Sequence, residues 1–321
     1  MVRRRGRRRI AHGALMTRPV VVSAYPLSPA FANWDPAVEH EVLCGLTELP
    51  GVAALEVPWI DGIHPHDSAW FLANAPAVAL ALTPLPFVMR RLATPGYGIA
   101  STDADGRRAA IADLRRVAAD AAEIGEHSAA HVAVVELHTA PRGEADADAL
   151  ARSLAELGEL DWSGARLVIE HCDAHVPGQT PEKGFLPLHG EIEAIRASGA
   201  DVGLWMNWGR SAIELRDPDA VAEQIAAAAN SGLLDALVLS GASDREGPYS
   251  GPWIDAHHPF ASLDSDAESL LTDDRLHAAV RAAGDAPSLG LKVSRRPDAT
   301  TAAEVLRVAE RHLQVLSGAA P

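Results

Sequence analysis

From Pro19 onward the chain repeats one pattern: a short apolar run, a polar loop, then a longer alanine-rich amphipathic segment. The apolar runs are "VVVSAY" (20–25), "AALEVPW" (53–59), "AVALALT" (77–83), "HVAVVELH" (131–138), "RLVIEH" (166–171), "VGLWMN" (202–207), "DALVLS" (235–240) and "LGLKVS" (289–294). Runs of this length between turn signals predict buried strands. The segments between them predict helices at about 36–48, 68–74, 104–127, 144–158, 186–198, 218–230, 272–283 and 301–316. Asp35-Pro36 and Asp217-Pro218 each read as an N-cap followed by proline in the first turn. Thr301 and Glu304 have the spacing of a capping box, while Gly158, Gly199 and Gly232 stand where helices end.

Eight strands alternating with eight helices predict a parallel sheet, and that number is the signature of a (β/α)8 TIM barrel. An open doubly wound sheet would more often carry a glycine-rich phosphate loop after an early strand, and the sequence shows none. The expectation is an α/β protein with a single barrel domain over residues 18–317. Residues 1–17 are expected to be a basic, disordered extension or the product of a mis-set start.

Barrel chemistry sits at the C-terminal ends of the strands. If the aliphatic residues face the helices, alternation turns Ser23, Tyr25, Glu56, Thr83, Glu136, His138, Glu170, Asn207, Ser240, Lys292 and Ser294 inward. Three glutamates and a lysine in apolar strands are costly to bury unpaired. They read either as an ion-pair network closing the barrel top or as a site, and their shared location favours a site. Glu136 and Glu170 fall on neighbouring strands, with His138 on the face of Glu136. Two carboxyls of unequal pKa suit proton transfer at a sugar carbon or a glycosidic oxygen.

These residues resemble the xylose-isomerase-like superfamily of sugar isomerases and epimerases. More closely, "IEHCDAH", "KGFLPLHGEI" and "NWGRSAIELR" resemble an uncharacterised bacterial family within it, across most of residues 19–316. The resemblance implies a divalent metal held by Glu on strand five, Asp on strand six, His near strand seven and Glu on strand eight. A D-x-x-H spacing often follows strand six. Matched by position, Glu170 is retained, but Asn207 stands for the Asp and Arg210 for the D-x-x-H histidine. Ser240 holds the strand-seven position and Lys292 replaces the strand-eight Glu. A hard cation wants anionic oxygens and neutral imidazole. Two fixed positive charges in their place disfavour the usual metal. Arg210 can instead grip a carboxylate, phosphate or sulfate.

Other pieces change this picture little. "HPHD" (64–67), "EHCDAH" (170–175) and "DAHH" (255–258) follow strands two, five and seven, but their spacing matches no specific metal motif. If a metal is bound, Glu170, His171, Asp173, His257 and His258 are the expected suppliers. A Schiff-base role for Lys292 is disfavoured, since nearby glutamates keep it protonated. Cys172 reads as inert packing. Several of the seven tryptophans fall at strand ends, where a flat ring can stack on a sugar or simply wall the pocket; Trp59 and Trp208 are favoured for ligand contact. Glycoside hydrolysis would place a carboxylate on strand seven, where Ser240 stands.

The net charge of −15 hides an asymmetry: seven of the 28 basic residues fall in residues 1–18, which hold no acid, leaving 21 against 43 acidic residues beyond. Such a surface repels nucleic acid, and only the arm "RRRGRRR" could bind phosphate backbones. With no long apolar run and two cysteines, Cys44 and Cys172, the chain reads as cytoplasmic, not membrane-bound. Arg90, Arg91, Arg142, Arg245, Arg295 and Arg296 follow strand ends. Most are expected at the solvated surface and at most two or three on a ligand, but their clustering in an acidic protein points to an anionic one.

The expected activity is an isomerase or epimerase acting by proton transfer on a small anionic sugar, without the usual metal. Glu170 and Glu136 are the expected acid and base, and His138 and Lys292 polarise or reprotonate. Glu56, Trp59, Asn207, Trp208, Arg210, Arg142 and Ser240 are expected to bind the substrate. The alternatives are a non-catalytic sugar-acid binder, or a lyase or hydrolase acting on a modified glycoside. A homodimer is plausible by analogy alone.

Overall fold

The computed structural model describes residues 18–319, so the basic arm of residues 1–17 lies outside the described residues. Eight parallel strands close on themselves in sequence order: β1 Val20–Ser23, β2 Val52–Pro58, β3 Ala79–Thr83, β4 His131–Leu137, β5 Arg166–Glu170, β6 Val202–Asn207, β7 Leu234–Leu239 and β8 Ser288–Leu291. β1 pairs with both β2 and β8, which completes the barrel expected from the eight apolar runs.

Alternation sorts each strand into two environments. Outward residues such as Val22, Leu55, Leu82, Leu137, Ile169 and Leu239 join the main core between barrel and helices. Inward residues form a second, smaller cluster of Val21, Ala81, Val168, Trp205, Ala236 and Val238. Trp205 can fill the interior because its neighbours are small. A Cβ at Gly290 would come within 2.9 Å of Val238 Cγ2, so that position has no room for a side chain. Below Trp205 the floor is ionic: Arg166 pairs with Asp235 and, at 2.8 Å, with Asp201. Asp235 leans across Gly203, where a Cβ would sit on its carboxylate.

The long helices fall close to where the periodicity puts them, among them Pro36–Thr47, Ala104–His127, Ala147–Gly158, Leu188–Ser198 and Ala302–Ala319. Asp35 caps the first, accepting from the amides of Ala37 and Val38. The capping box is reciprocal: Glu304 N–H donates to Thr301 Oγ1 at 3.3 Å, and Thr301 N–H to Glu304 Oε2 at 3.0 Å. Asp217 behaves differently from its expectation. It accepts from Asp219 N–H in a turn, and the helix begins only at Val221. Three short helices were not expected, Ala24–Leu27, Leu85–Arg91 and Trp208–Leu215. The last matters most, because β6 runs straight into it and Asn207 is its N-cap, accepting from Arg210 N–H at 3.3 Å. Among the described residues no helix is long and apolar enough to cross a membrane.

One buried charge cluster bolts this short helix to the barrel. His171, fully buried just after β5, meets Glu191 of helix 188–198 at 2.8 Å through Nδ1 and Glu214 of helix 208–215 at 3.0 Å through Nε2. Burial alone would lower its pKa, but the two carboxylates outweigh it and carry His171 up to about 10. His171 is therefore not available as the metal supplier it was expected to be, since both ring nitrogens are taken. Its folded pKa lies above the ordinary 6.5. The stability it contributes is therefore complete below about pH 6.5 and is lost as pH rises through about 10. Replacing His171 with Gln is expected to cost about 3–5 kcal/mol at pH 6, the penalty for stranding a buried partner. Urea melts at pH 6 and pH 9.5 would check this: the gap to the parent should narrow at the higher pH.

Candidate functional site

The barrel mouth is a ring of buried polar side chains, one from nearly every strand end. Ser23, Glu56, Thr83, Glu136, Glu170, Asn207 and Lys292 are all sealed from solvent. Glu170 is the centre. Arg210 reaches back from the first turn of helix 208–215 to place NH1 2.5 Å from Glu170 Oε2. Asn207 Nδ2 donates to Glu170 Oε1 at 3.1 Å, and Lys292 Nζ donates to the same oxygen at 3.2 Å. Lys292 also donates to Glu56 Oε1 at 2.6 Å, and Ser23 donates to the other Glu56 oxygen.

Two neighbouring carboxyls are thus placed in opposite environments. Burial favours the neutral form of Glu170, but the charges of Arg210 and Lys292 outweigh it and hold this carboxyl well below the usual range. Among the described residues no donor reaches either oxygen of Glu136, while Glu170 is within reach to accept a hydrogen bond from its protonated form. Burial, reinforced by the negative charges of Glu170 and Glu56, pushes Glu136 well above the usual range. The surroundings thus favour the neutral acid at Glu136 and the anion at Glu170. His138 completes the trio, with one ligand-type atom each from Glu136, His138 and Glu170 lying within 4.8 Å of one another. Burial takes the His138 pKa down to about 3, so its imidazole is neutral. It faces Thr83 Oγ1 at 3.4 Å and Cys172 Sγ at 3.9 Å. Burial raises the Cys172 thiol pKa, which leaves it protonated and unreactive.

A second tier comes from the loops. Asp255, in the long loop after β7, accepts through Oδ2 from Arg210 Nε at 2.9 Å and from Lys183 Nζ at 2.7 Å. His257 Nδ1 lies 3.2 Å from Asp255 Oδ1 and 3.2 Å from Ser240 Oγ, and its Nε2 is 3.3 Å from the Tyr25 hydroxyl. Outside this tier Tyr25, Asp255, His257 and Ser294 line a solvent-facing cavity of about 410 Å³. A separate space of about 20 Å³, roughly one water molecule in size, lies to the side of Glu136 and His138, walled by Trp59, Phe87 and Tyr97.

The structure therefore brings together Glu56, Glu136, His138, Glu170, Asn207, Arg210, Ser240, His257 and Lys292. Other expected residues stand apart. Trp208 is buried in the core between barrel and helices. Trp59 is also buried, with its indole N–H donating to Asp120 at 2.6 Å, and reaches the site only through the wall of the small cavity. Arg142 spends its guanidinium on the carbonyls of Lys183 and Glu182, where it braces a loop. Asp173 accepts from the amides of Glu182, Lys183 and Gly184. His258 is held by Ser250 and the Ala267 carbonyl. The five expected metal suppliers thus do not converge. Lys183 and Asp255 were missed, although Lys183 stands in "KGFLPLHG" among apolar residues and Asp255 opens "DAHH".

The residues present do not fit the metal tetrad that the resemblance implies. Arg210 and Lys292 are fully buried and already neutralise the anions a metal would use. Three carboxylates (Glu56, Glu170 and Asp255) face three cations (Lys292, Arg210 and Lys183), so the charges balance without an ion. A divalent ion between Glu136, His138 and Glu170 would repel both neighbouring cations, by several kcal/mol at about 5 Å and an effective dielectric of about 20.

The fold matches solved structures along nearly its whole length. A xylose isomerase domain containing protein from Salmonella typhimurium aligns with a TM-score of 0.59 at 10% identity, covering 94% of this chain and 97% of that one. The structure of an L-ribulose 3-epimerase aligns with a TM-score of 0.57 at 16% identity, covering 95% and 96%. What these proteins share with the chain is the barrel fold. In sequence, the chain is 36% identical over 276 residues to the uncharacterized protein STM3670 of Salmonella typhimurium, covering 84% of this chain and 86% of its relative. The profile of one family matches residues 21–308, and the chain belongs to that family, the domain of unknown function DUF4862.

Proposed function

We propose that this protein is a sugar isomerase or epimerase that shifts a proton on a small anionic carbohydrate without the divalent metal usual in such barrels. The observation that carries the reading is the Glu136–Glu170 pair. Two adjacent carboxyls driven to opposite protonation states by their surroundings are the arrangement that acid–base chemistry needs. Glu136 is the proton donor. Glu170 is a weak base at rest because Asn207 and Lys292 donate to it and the Arg210 guanidinium pairs with it. A substrate oxygen that drew Lys292 or Arg210 toward itself would free Glu170 to take a proton from carbon. The electron pair released would pass onto the carbonyl oxygen, where the Lys292 ammonium meets the developing charge. Return of a proton from Glu136 to the other face completes epimerisation. Return to the neighbouring carbon completes isomerisation once the hydroxyl proton passes to the former carbonyl oxygen. In both cases proton exchange with solvent resets the two carboxyls.

The electrostatic work that a metal does in related barrels falls here to Arg210 and Lys292. Asn207 and Glu56 offer hydrogen bonds to hydroxyls, and neutral His138 is placed to relay a proton. The similarity to an epimerase in fold supports the class of reaction, but not its substrate.

Deuterium wash-in followed by NMR across a panel of ketoses, hexuronates and aldonates is expected to show exchange at a carbon-bound proton. Glu136→Gln should lower that exchange about 100-fold or more. No exchange with any panel member, alongside saturable binding, would favour a non-catalytic binder instead. Release of a leaving group without exchange would favour a lyase or hydrolase. Exchange is also expected to survive dialysis against EDTA and to gain nothing from added manganese or magnesium; its disappearance on chelation would defeat the metal-free account.

A further inference from the structure

Asp255 holds the position that a ligand's anionic group would take. Its Oδ2 receives both Arg210 Nε and Lys183 Nζ, and its Oδ1 faces His257. Unlike the other acids of the site, it comes from no strand. It arrives on the loop between β7 and the helix Asp273–Ala282, a stretch with one turn of 3-10 helix and otherwise no regular structure. That loop is tied at its base by the Gly241–His258 bridge. Beyond the tie, Trp253 and His257 both have positive φ, at 59° and 55°, a conformation costly for residues with side chains. Ile254, 41% exposed, is the one large hydrophobic left in solvent among the described residues, and it adjoins Asp255. Asp255 is among the residues that line the 410 Å³ cavity, with its side chain turned inward and 4% exposed. Inside, neither Arg210 NH1 nor NH2 has a hydrogen-bond partner among the described residues, although NH1 makes an ion contact with Glu170.

We infer that Arg210 and Lys183 form a carboxylate-binding subsite, and that Asp255 is its resident occupant, exchanged for the carboxylate of an entering sugar acid. The inference rests on the anionic-sugar reading above and supplies the place where the charge binds. A carboxylate fits better than a phosphate on the contacts present: two cationic donors converge on one oxygen of a planar group. Glu170 lies 2.5 Å from the same guanidinium and would repel a dianion. Because Asp255 holds the contacts with Arg210 and Lys183 that the ligand's carboxylate would take, the loop acts as a competitor that the correct ligand must outbid. The apparent affinity for any carboxylate is lowered by the fraction of molecules in which Asp255 is in place. Neutral ligands cannot take over its contacts with Arg210 and Lys183.

Acetate is a probe that needs no knowledge of the sugar. Acetate, acetamide and inorganic phosphate would be titrated against the parent protein and against Asp255→Asn, which keeps the side-chain size, with NMR and thermal shift as readouts. The expected result is acetate binding about tenfold tighter in Asp255→Asn than in the parent, with no gain for acetamide. Asp244→Asn makes the same charge change on the same loop at an exposed position, and should leave acetate affinity within about twofold of the parent. Adding Lys183→Met to Asp255→Asn should abolish the gain. Equal behaviour of acetate and acetamide, or of Asp255→Asn and Asp244→Asn, would overturn the subsite, and tighter phosphate than acetate binding would overturn its assignment to carboxylates. Should Asp255→Asn be too unstable to titrate by NMR, a saturable rise of its melting temperature with acetate supports the subsite and no rise overturns it. These are equilibrium measurements, so absence of deuterium exchange with intact acetate binding would refute the proton-transfer reading while leaving the subsite standing.

Discussion

A carboxylate taken out of water stays ionised only if cations and hydrogen-bond donors come with it. Glu170, at the end of β5, imposes that condition on the top of this barrel. Its cations come from two distant parts of the chain, Lys292 just past β8 and Arg210 beyond β6. Arg210 reaches Glu170 only because β6 turns into a helix at Asn207, which caps that helix with one side-chain atom and donates to Glu170 with another. The helix is in turn held by Glu214 on His171, and His171 follows Glu170 directly in the chain. Position and charge state are therefore specified together, because a shift of helix 208–215 would strand both the imidazolium and the carboxylate.

The same condition explains why Glu136 differs from its neighbour. The available cations are spent on Glu56, Glu170 and Asp255. A fourth ionised carboxylate would lack both a partner and a hydrogen bond, so the proton stays on Glu136. Two glutamates of the same sequence type thus acquire different chemistry from the supply of counter-charge, not from anything local to either strand.

How much of this could be read beforehand follows from where each contact originates. Strand alternation is a local rule, and it turned Ser23, Glu56, Glu136, Glu170, Asn207 and Lys292 inward as the structure has them. Trp208 was misjudged because a residue just past a strand end either faces the mouth or begins a helix, and "NWGRSAIEL" does not announce its cap through composition. His171 looked free because its two partners lie 20 and 43 residues away. Of the loop arginines, most of which were expected at the solvated surface, Arg142 and Arg295 bind backbone carbonyls, Arg245 pairs with Glu268 and Arg296 with Asp264. Lys183 and Asp255 are linked to the site only by long loops, for which hydrophobic periodicity carries no information.

Balancing buried carboxylates with side-chain cations has a consequence of its own. A metal ion can leave with its positive charge, whereas a buried guanidinium and ammonium remain when no ligand is bound. An empty mouth with uncompensated cations would be unstable, so such a site needs an internal anion for its resting state. Asp255 meets that need: burial favours its neutral form, but Lys183, His257 and Arg210 outweigh it and hold its carboxyl well below the usual range. The cost is competition with the ligand. That competition in turn admits ligands that bring their own carboxylate and leaves neutral sugars to face a closed loop, so selectivity in the proposed enzyme would arise from the device that stabilises it when empty.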